Sequence, residues 1–286
     1  MRLSRRQFLG ATLGGGAIGV AGASYARWIE PGWFEVTHTA VKTGRGVGRD
    51  KVRVLHLSDL HASEVVPLPM IARAFALGLA ERPDLVLLTG DFWTDRYHDF
   101  TRYGDVLRQL SAAAPTYAVV GNHDGGRWAG RTTGWPTLAP ISRLLAEARI
   151  PLLFNESTAL DVRGRPVELF GVGDLWAGDC HAPQAFAGHE SRAAGERTLR
   201  LVLNHNPDAK DEFRNLDWDV MCCGHTHGGQ VKLPFLGTPF APVQDLRYVA
   251  GLNDWEGHQI FTTRGVGNLH GVRFNCRPEI SVLELS

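Results

Sequence analysis

Five short segments that end in aspartate, asparagine or histidine constrain the fold more than any other feature of the chain. They read Asp59-Leu60-His61, Gly90-Asp91, Gly121-Asn122-His123-Asp124, Asn204-His205 and Gly224-His225-Thr226-His227. Nearly all of them follow an apolar, strand-like run. In open α/β sheets, ligands bind in the crevice beyond the carboxyl ends of the strands. The five segments are therefore predicted to converge on one rim of an α/β fold.

Seven side chains in these segments are candidate metal ligands: Asp59, His61, Asp91, Asn122, His205, His225 and His227. Their oxygen and imidazole nitrogen atoms are donors that divalent first-row metals accept. Seven donors are too many for one tetrahedral site, but they suit two ions that share a bridging carboxylate. Asp91 stands alone at a strand end, which is a natural position for that bridge. We expect two divalent metal ions, with Mn, Fe or Zn as the candidates.

Each of these residues has an ordinary explanation when it is considered singly. An Asp or Asn after a strand is most often a turn residue, and a lone His is more often hydrogen-bonded or at the surface. Jointly, their order is long and specific. Asp59 and His61 are two apart, and in extended chain that spacing points both side chains to one side. The metal interpretation is favoured, and the histidines outside the segments are assigned structural or surface roles, although His270 could line a substrate cleft.

The apolar periodicity predicts βαβαβ followed by further strands, which implies packed α/β layers. Helical spacing is present over residues 68–79, 103–110 and 138–148. Strands are predicted over residues 34–41, 52–57, 85–88, 117–120, 152–154, 167–172, 199–203, 220–223, 259–262 and 280–285.

The amino terminus has the order of an export signal. Arg5-Arg6 is a twin-arginine pair, and Gln7 to Ala26 is uncharged but rich in glycine and alanine. Small residues near Ala26 offer signal-peptidase sites. Residues 1–26 are predicted to be a twin-arginine signal or membrane anchor, and 27–286 the folded domain. We expect export by the twin-arginine machinery to the periplasm or the outer face of the cytoplasmic membrane; the alternative is a chance basic start before a helix.

Composition and cysteine spacing argue against two other classes of site, although a specific nucleotide substrate stays open. Lysine and arginine number 30, as do aspartate and glutamate, so no basic excess indicates a nucleic-acid partner. The four cysteines form no C-x-x-C pair, so neither a zinc ribbon nor a redox motif is expected. Nothing in the composition indicates the oligomeric state.

The motif order D-x-H, G-D, G-N-H-D, H and G-H-x-H resembles that of the calcineurin-like metallophosphoesterase superfamily, from about Val52 to the carboxyl terminus. Gly224-His225-Thr226-His227-Gly228-Gly229-Gln230 and the segment 272–280 resemble a bacterial branch of twin-arginine-exported phosphoesterases and relatives of lipid-A-pathway pyrophosphatases. The resemblance implies a four-layer α/β/β/α sandwich.

The resemblance also implies roles for the candidate residues. It assigns Asp59, His61, Asp91 and His227 to one metal and Asp91, Asn122, His205 and His225 to the other. It assigns His123 as the catalytic general acid. The expected activity is hydrolysis of a phosphodiester or pyrophosphate bond in a phosphate-ester substrate, with a hydroxide activated by the ions. An envelope or lipid-linked compound is a candidate substrate. The alternatives are a phosphomonoesterase or nucleotidase, or a non-catalytic metal-bound binding protein at the envelope.

Three details of the motifs stay open. The segment from Gly90 to Arg96 departs from the G-D-x-V-D-R-G of phosphoprotein phosphatases, which speaks against that assignment and against a phosphate contact for Arg96. Either Asp95 or Asp124 could orient His123. Trp128 and Trp135 could form a substrate lid, although aromatic residues in such loops usually cap the core.

Overall fold

Two mixed β-sheets form the centre of the computed structural model, which describes residues 19–44, 51–193 and 196–286. In chain order the strands are β1 (Glu35–Val41), β2 (Val52–Leu57), β3 (Leu85–Thr89), β4 (Thr116–Val119), β5 (Glu156–Val162), β6 (Arg165–Gly171), β7 (Leu199–Leu203), β8 (Val220–Cys223), β9 (Gly251–Trp255), β10 (His258–Thr262) and β11 (Glu279–Leu285). The first sheet has the order β1-β11-β2-β3-β4, and the second has the order β5-β6-β7-β8-β10-β9.

Within each sheet, the central strands run parallel to one another. β2, β3 and β4 are parallel in the first sheet, and β6, β7, β8 and β10 are parallel in the second. β3 and β7 are buried along their whole length. The apolar run of β3 is typical of a strand covered on both faces, whereas β7 contains Arg200, which pairs with Glu168 at 2.6 Å. Parallel strands end at the same edge of a sheet, so each sheet presents its polar strand ends together.

The helices are α1 (Leu68–Ala80), α2 (Phe100–Ala113), the four-residue turn α3 (Gly126–Ala129), α4 (Ala139–Glu147) and the four-residue turn α5 (Ala182–Ala185). The three longer helices confirm the predicted ones. α2 begins three residues before the predicted start because the Asp99 side chain accepts a hydrogen bond from the backbone N–H of Arg102 at 3.3 Å, which caps the first turn.

Three apolar clusters define four layers. One cluster packs α1, α2 and α4 on the outer face of the first sheet, with Phe75 and Leu107 at its centre. A second fills the space between the sheets, with Val54 facing residues such as Leu201. A third covers the outer face of the second sheet with α5 and the 3₁₀ turn Pro207–Phe213. The predicted four-layer α/β/β/α sandwich is therefore confirmed, although its last layer consists of short turns.

The structure differs from the sequence-based strand assignment in three places. Two observed strands were not predicted, and one predicted strand does not form. β5 and β9 were not predicted, because each is an edge strand with a single partner and many half-buried or exposed residues. Residues 152–154 form only an isolated bridge, in which Leu152 pairs with Ala118. Periodicity detects strands that bury a face, and it missed these two edge strands although it detected the edge strand β1.

The amino-terminal segment is helical where it is described. Residues 19–24 are α-helical and continue into a π-helical turn over Tyr25–Ile29. The carbonyl oxygen of Ala26 accepts a hydrogen bond from the backbone N–H of Arg273 at 2.9 Å. Most of the predicted signal, residues 1–18, lies outside the described residues. Among the described residues, no helix combines the length and apolar character needed to cross a bilayer.

Candidate metal centre

The loops after the parallel strands of both sheets meet at one rim. The backbone N–H groups of Asp59 and His61 donate to the carbonyl oxygens of Gly90 and Asp91, at 2.9 and 3.0 Å. These bonds tie together the loops after β2 and β3. His205 Nδ1 lies 2.7 Å from the carbonyl oxygen of Thr89, so the loop after β7 is tied to the other sheet. All seven predicted ligands are buried at this rim.

Asp59, His61 and His227 form the first cluster. Their ligand atoms lie within 4.8 Å of one another. His227 Nε2 is 3.4 Å from Asp59 Oδ1 and 3.1 Å from His61 Nε2. His61 Nε2 is also 3.4 Å from Asp91 Oδ2, so the cluster extends to the predicted bridging carboxylate.

The second cluster also contacts Asp91, and the ligand atoms of Asp59, Asp91 and His205 lie within 4.8 Å of one another. His205 Nε2 is 3.2 Å from Asp91 Oδ2, and His225 Nδ1 is 3.2 Å from His205 Nε2. Asn122 is buried, and its Oδ1 has no hydrogen-bond partner. The same Asp91 oxygen thus lies close to a histidine of each cluster, as a carboxylate shared by two sites must.

These residues fit divalent cations. A buried amide oxygen without a donor is costly unless something else satisfies it, and a cation would satisfy Asn122 Oδ1. Paired ring nitrogens at 3.1 to 3.2 Å likewise suit lone pairs directed at a common ion. Burial lowers the pKa of His61 and of His225 to about 3, so both rings are in the neutral form that binds metals. That these seven side chains bind metal stays a prediction.

Asp91 and His205 shift each other's pKa at the centre of the rim. Burial raises the pKa of Asp91, but the charges of His205 and His123 outweigh it and hold that pKa well below its usual value. Burial likewise opposes protonation of His205, and Asp91 nevertheless raises the pKa of that ring well above its usual value. The His205 Nδ1–H donates to the Thr89 carbonyl oxygen, which fixes the ring so that Nε2 faces Asp91.

The backbone at the centre is strained. Five of the candidate ligands have positive φ: Asp59 at 54°, His61 at 48°, Asp91 at 56°, His225 at 69° and His227 at 51°. The extended-chain explanation for the two paired segments is therefore wrong, because left-handed residues turn these side chains inward. Such positions cost on the order of 1–3 kcal/mol each and cluster at functional sites.

Glycine is required where backbone passes the ligands. A Cβ atom at Gly121 would collide with Asp91 Oδ1, and one at Gly224 would collide with Asp59 Oδ2. These two glycines explain why the third and fifth sequence segments combine glycine with a ligand.

Asp124 organises the loop that carries Asp91. Its carboxylate accepts hydrogen bonds from the backbone N–H groups of Asp91 at 2.8 Å, Phe92 at 2.6 Å and Gly121 at 2.7 Å. Burial and the neighbouring charge of Asp91 raise the pKa of Asp124 to about 8. The Asp124 side chain therefore fixes the backbone around Asp91, the predicted bridging residue.

His123 is oriented by a backbone carbonyl rather than by either carboxylate that the sequence offered. Its Nδ1 lies 3.1 Å from the carbonyl oxygen of Thr94, and its backbone N–H donates to Asp91 Oδ1 at 2.9 Å. Asp95 instead accepts a hydrogen bond from the Thr133 hydroxyl. A carbonyl oxygen can only accept a hydrogen bond, so Nδ1 of His123 carries a proton. Nε2 is then the ring nitrogen that can transfer a proton to or from a substrate.

Two tryptophans form a wall beside the centre. The Trp128 ring lies 4.8 Å from that of His123, the Trp176 ring lies 4.3 Å from that of His225, and the two indoles are 6.1 Å apart, all between ring centroids. Trp176 is 43 % exposed, so the wall is open to a substrate. Trp135 instead packs against Phe100 and the first apolar cluster.

The sequence interpretation missed Trp176 and its neighbour Asp174. Asp174 is buried, its Oδ2 has no hydrogen-bond partner, and burial raises its pKa to about 6. A signal was present, since Gly173-Asp174 follows β6 as Gly90-Asp91 follows β3. Among the other histidines, His270 lines a cavity with His227, whereas His56 is buried in the first sheet and bonds the Thr89 hydroxyl at 2.8 Å.

Residues 52–229, which contain every predicted ligand, match the calcineurin-like phosphoesterase family. The chain belongs to this family. It is 46% identical over 285 residues to Phosphodiesterase YaeI of Escherichia coli, covering 99% of both chains. It is 30% identical to the uncharacterized metallophosphoesterase YkuE of Bacillus subtilis, covering 99% of this chain and 98% of that one.

A more distant relative extends the range of activities. The phosphoesterase is 24% identical to UDP-2,3-diacylglucosamine pyrophosphatase LpxG of Chlamydia muridarum, with 91% of each chain covered. Family membership and these relatives make the chain a metallophosphoesterase, an enzyme that hydrolyses phosphoric esters.

Proposed function

We propose that this metallophosphoesterase hydrolyses phosphodiester or pyrophosphate bonds with the help of two divalent ions, drawn from Mn, Fe and Zn. The position of Asp91 between the two ligand clusters carries the proposal, because its Oδ2 lies 3.4 Å from His61 Nε2 and 3.2 Å from His205 Nε2. The relatives named as a phosphodiesterase and a pyrophosphatase support this choice of bond.

The residues would divide into two sites. Asp59, His61, His227 and Asp91 would hold one ion, and Asp91, Asn122, His205 and His225 would hold the other. When bound, a pair of ions at such a site activates water and neutralises charge on phosphoryl oxygens. The buried carboxylates and neutral imidazoles keep bulk water away from this position.

His123 is placed to donate a proton to the leaving oxygen. Its Nδ1 is held by the Thr94 carbonyl, its ring packs edge-on against His61 with 5.2 Å between centroids, and Nε2 is free of that hydrogen bond. The Trp128 ring also packs edge-on against the His123 ring, with 4.8 Å between centroids. Held in this way, the imidazole can protonate an alkoxide that would otherwise leave slowly.

The specificity for diesters is tested by comparing two nitrophenyl substrates. Metal-loaded protein is expected to hydrolyse bis-p-nitrophenyl phosphate faster than p-nitrophenyl phosphate. A higher rate on the monoester would assign the enzyme as a phosphomonoesterase or nucleotidase. Asp91→Asn serves as the control for activity that belongs to this centre.

The enzyme is further proposed to act after export, at the periplasm or the outer face of the cytoplasmic membrane. Arg5-Arg6 and the uncharged residues from Gln7 to Ala26 support this. Changing Arg5→Lys together with Arg6→Lys keeps the charge but removes the twin-arginine pair, so the protein should stay in the cytoplasm. Normal export of that double variant, measured by cell fractionation, would contradict the assignment.

A further inference from the structure

A loop near the metal centre exposes three apolar side chains. Residues 233–240 turn back on themselves, because the N–H of Leu233 donates to the Gly237 carbonyl at 2.8 Å and that of Gly237 donates to Leu233 at 3.0 Å. Phe235 at the tip is fully exposed, while Leu236 is 74% and Phe240 72% exposed. Phe235 also has a φ of 66°, which strains a bulky residue. Exposure and strain both oppose folding, so this apolar loop is expected to serve an interaction.

A second group of exposed apolar residues lies on the amino-terminal segment. We call it the amino-terminal patch, and it consists of Val20, Trp28, Ile29 and Trp33, which are 49–73% exposed. Indole rings combine a large apolar face with one polar N–H group, and they are enriched where lipid meets water. Contiguous apolar surface of this kind is unusual unless a partner covers it.

The apolar loop and the amino-terminal patch flank the same short piece of chain. The backbone N–H of Lys232, at the start of the loop, donates to the Phe274 carbonyl at 2.8 Å. The ring of Phe274 packs edge-on against Tyr25, with 6.4 Å between centroids. Arg273 donates its backbone N–H to Ala26. Phe274 thus lies between the two chain segments that carry the apolar loop and the amino-terminal patch.

The charges on this surface are predominantly basic. Arg27 and Lys232 are exposed, and the Arg277 guanidinium lies 4.4 Å from the centre of the Trp33 ring. The nearby acids are engaged elsewhere. Glu30 is buried and accepts hydrogen bonds from the backbone N–H groups of Asn275 and Cys276. Glu35 pairs with Arg264 at 2.8 Å and lies 3.9 Å from Arg277, so Arg27 and Lys232 supply the basic charge of this surface.

We propose that the apolar loop and the amino-terminal patch together dock on an anionic lipid bilayer. The apolar side chains would enter the headgroup region, and the basic residues would meet lipid phosphates. The chain upstream supports a bilayer over a protein partner, because residues 7–18 carry no charge and lead directly into the helix that bears the patch.

Docking would also place the metal centre near the lipid. A cavity of about 370 Å³ is lined by Val231, Phe240, Leu269 and His270, and it reaches the metal-ligand candidate His227. Phe240 of the apolar loop, which is largely exposed, is one of the residues that line it. A phosphate ester carried on a membrane lipid could therefore approach His227 without leaving the bilayer. The docking needs only the surface, whereas this lipid-borne substrate also rests on the proposed diester or pyrophosphate hydrolysis.

Vesicle flotation of the full chain tests the docking. Phe235→Ser combined with Leu236→Ser should weaken partition onto equimolar phosphatidylglycerol and phosphatidylcholine vesicles by at least about tenfold, since burying one Leu or Phe is worth roughly that factor or more. Lys232→Glu should weaken it by about fivefold or more on these vesicles and much less on pure phosphatidylcholine. Leu77→Ser, on the exposed side of α1, is the matched control and should leave partition unchanged.

Two outcomes would overturn the docking. Partition of the loop double variant at the wild-type level would exclude the loop from the membrane contact. Loss of a dimer in sedimentation, with vesicle partition retained, would assign the surface to a second copy of the chain. The loop variants should hydrolyse soluble bis-p-nitrophenyl phosphate at the wild-type rate. If the wild-type chain shows no such hydrolysis, the proposed function fails while the docking result still stands.

Discussion

The rim of the two sheets contains two kinds of residue that are held very differently. The candidate metal ligands are buried, lie on strained backbone, and are linked to one another across both sheets. His123 and the wall of Trp128 and Trp176 are half-buried or exposed; the tryptophans make ring contacts, and His123 is also held by hydrogen bonds. From this difference we predict that the ligands determine whether hydrolysis occurs, and that His123 and the wall determine which ester is hydrolysed efficiently.

The largest expected effect is the loss of the bridging carboxylate. Asp91→Asn removes the charge that lies between the two clusters, and a neutral amide is a poor bridge. Both ions should bind more weakly, and activity should fall by at least about 10³-fold, because the ions supply several kcal/mol of stabilisation to the transition state. Metal analysis and diester hydrolysis measure the two effects. If Asp91→Asn kept one ion fully bound and had normal activity, the two clusters would not depend on a shared Asp91. The contrast between the ligands and the wall would then fail.

His123 should respond differently from the ligands. General acid catalysis is worth about 10²–10⁴-fold, so His123→Ala should lose that factor on alkyl phosphodiesters and much less on nitrophenyl esters, which leave without protonation. Its metal content should remain near normal. His205→Ala, the matched ligand variant, should lose metal and fail on both ester types. Equal losses on both ester types for His123→Ala, with metal retained, would show that His123 positions the substrate instead.

Asp124→Asn should give an intermediate effect on metal affinity. The amide nitrogen would face one of the three backbone N–H donors that now bond the carboxylate, so the loop that carries Asp91 would shift. Residues that orient ligands are typically worth about 10–100-fold in metal affinity. Asp95→Asn, which changes the carboxylate that bonds Thr133, is the control and should leave affinity unchanged. If metal titrations showed the same loss of metal affinity for Asp124→Asn and Asp95→Asn, Asp124 would have no specific role in orienting Asp91.

Trp176→Ala should give the smallest effect. An aromatic contact is worth about 0.5–1.5 kcal/mol, so KM for an aryl diester should rise about 2–10-fold while kcat and metal content stay near normal. Trp33→Ala removes a similarly exposed indole from outside the rim and should leave KM for soluble esters unchanged. A large loss of kcat for Trp176→Ala would place that residue with the ligands rather than with the wall.

The sequence predicted which residues gather at the buried rim better than it predicted the wall, for a physical reason. The candidate ligands are Asp, Asn and His residues that follow strands in a fixed order, so motif order reveals them. Trp176 and Thr94 have no such restriction, because an indole or a backbone carbonyl can be supplied by many loops. Among the strands, the buried β3 and β7 were predicted nearly to the residue, whereas the edge strands β5 and β9 have too little buried surface to leave a pattern.

The amount of metal bound by the active enzyme tests the central claim most directly. Elemental analysis of fully active protein should give two divalent ions per chain, and anomalous scattering from crystals should place them about 3.5–4 Å apart on either side of Asp91. One tightly bound ion per active chain would contradict the account, as would two ions that do not share Asp91.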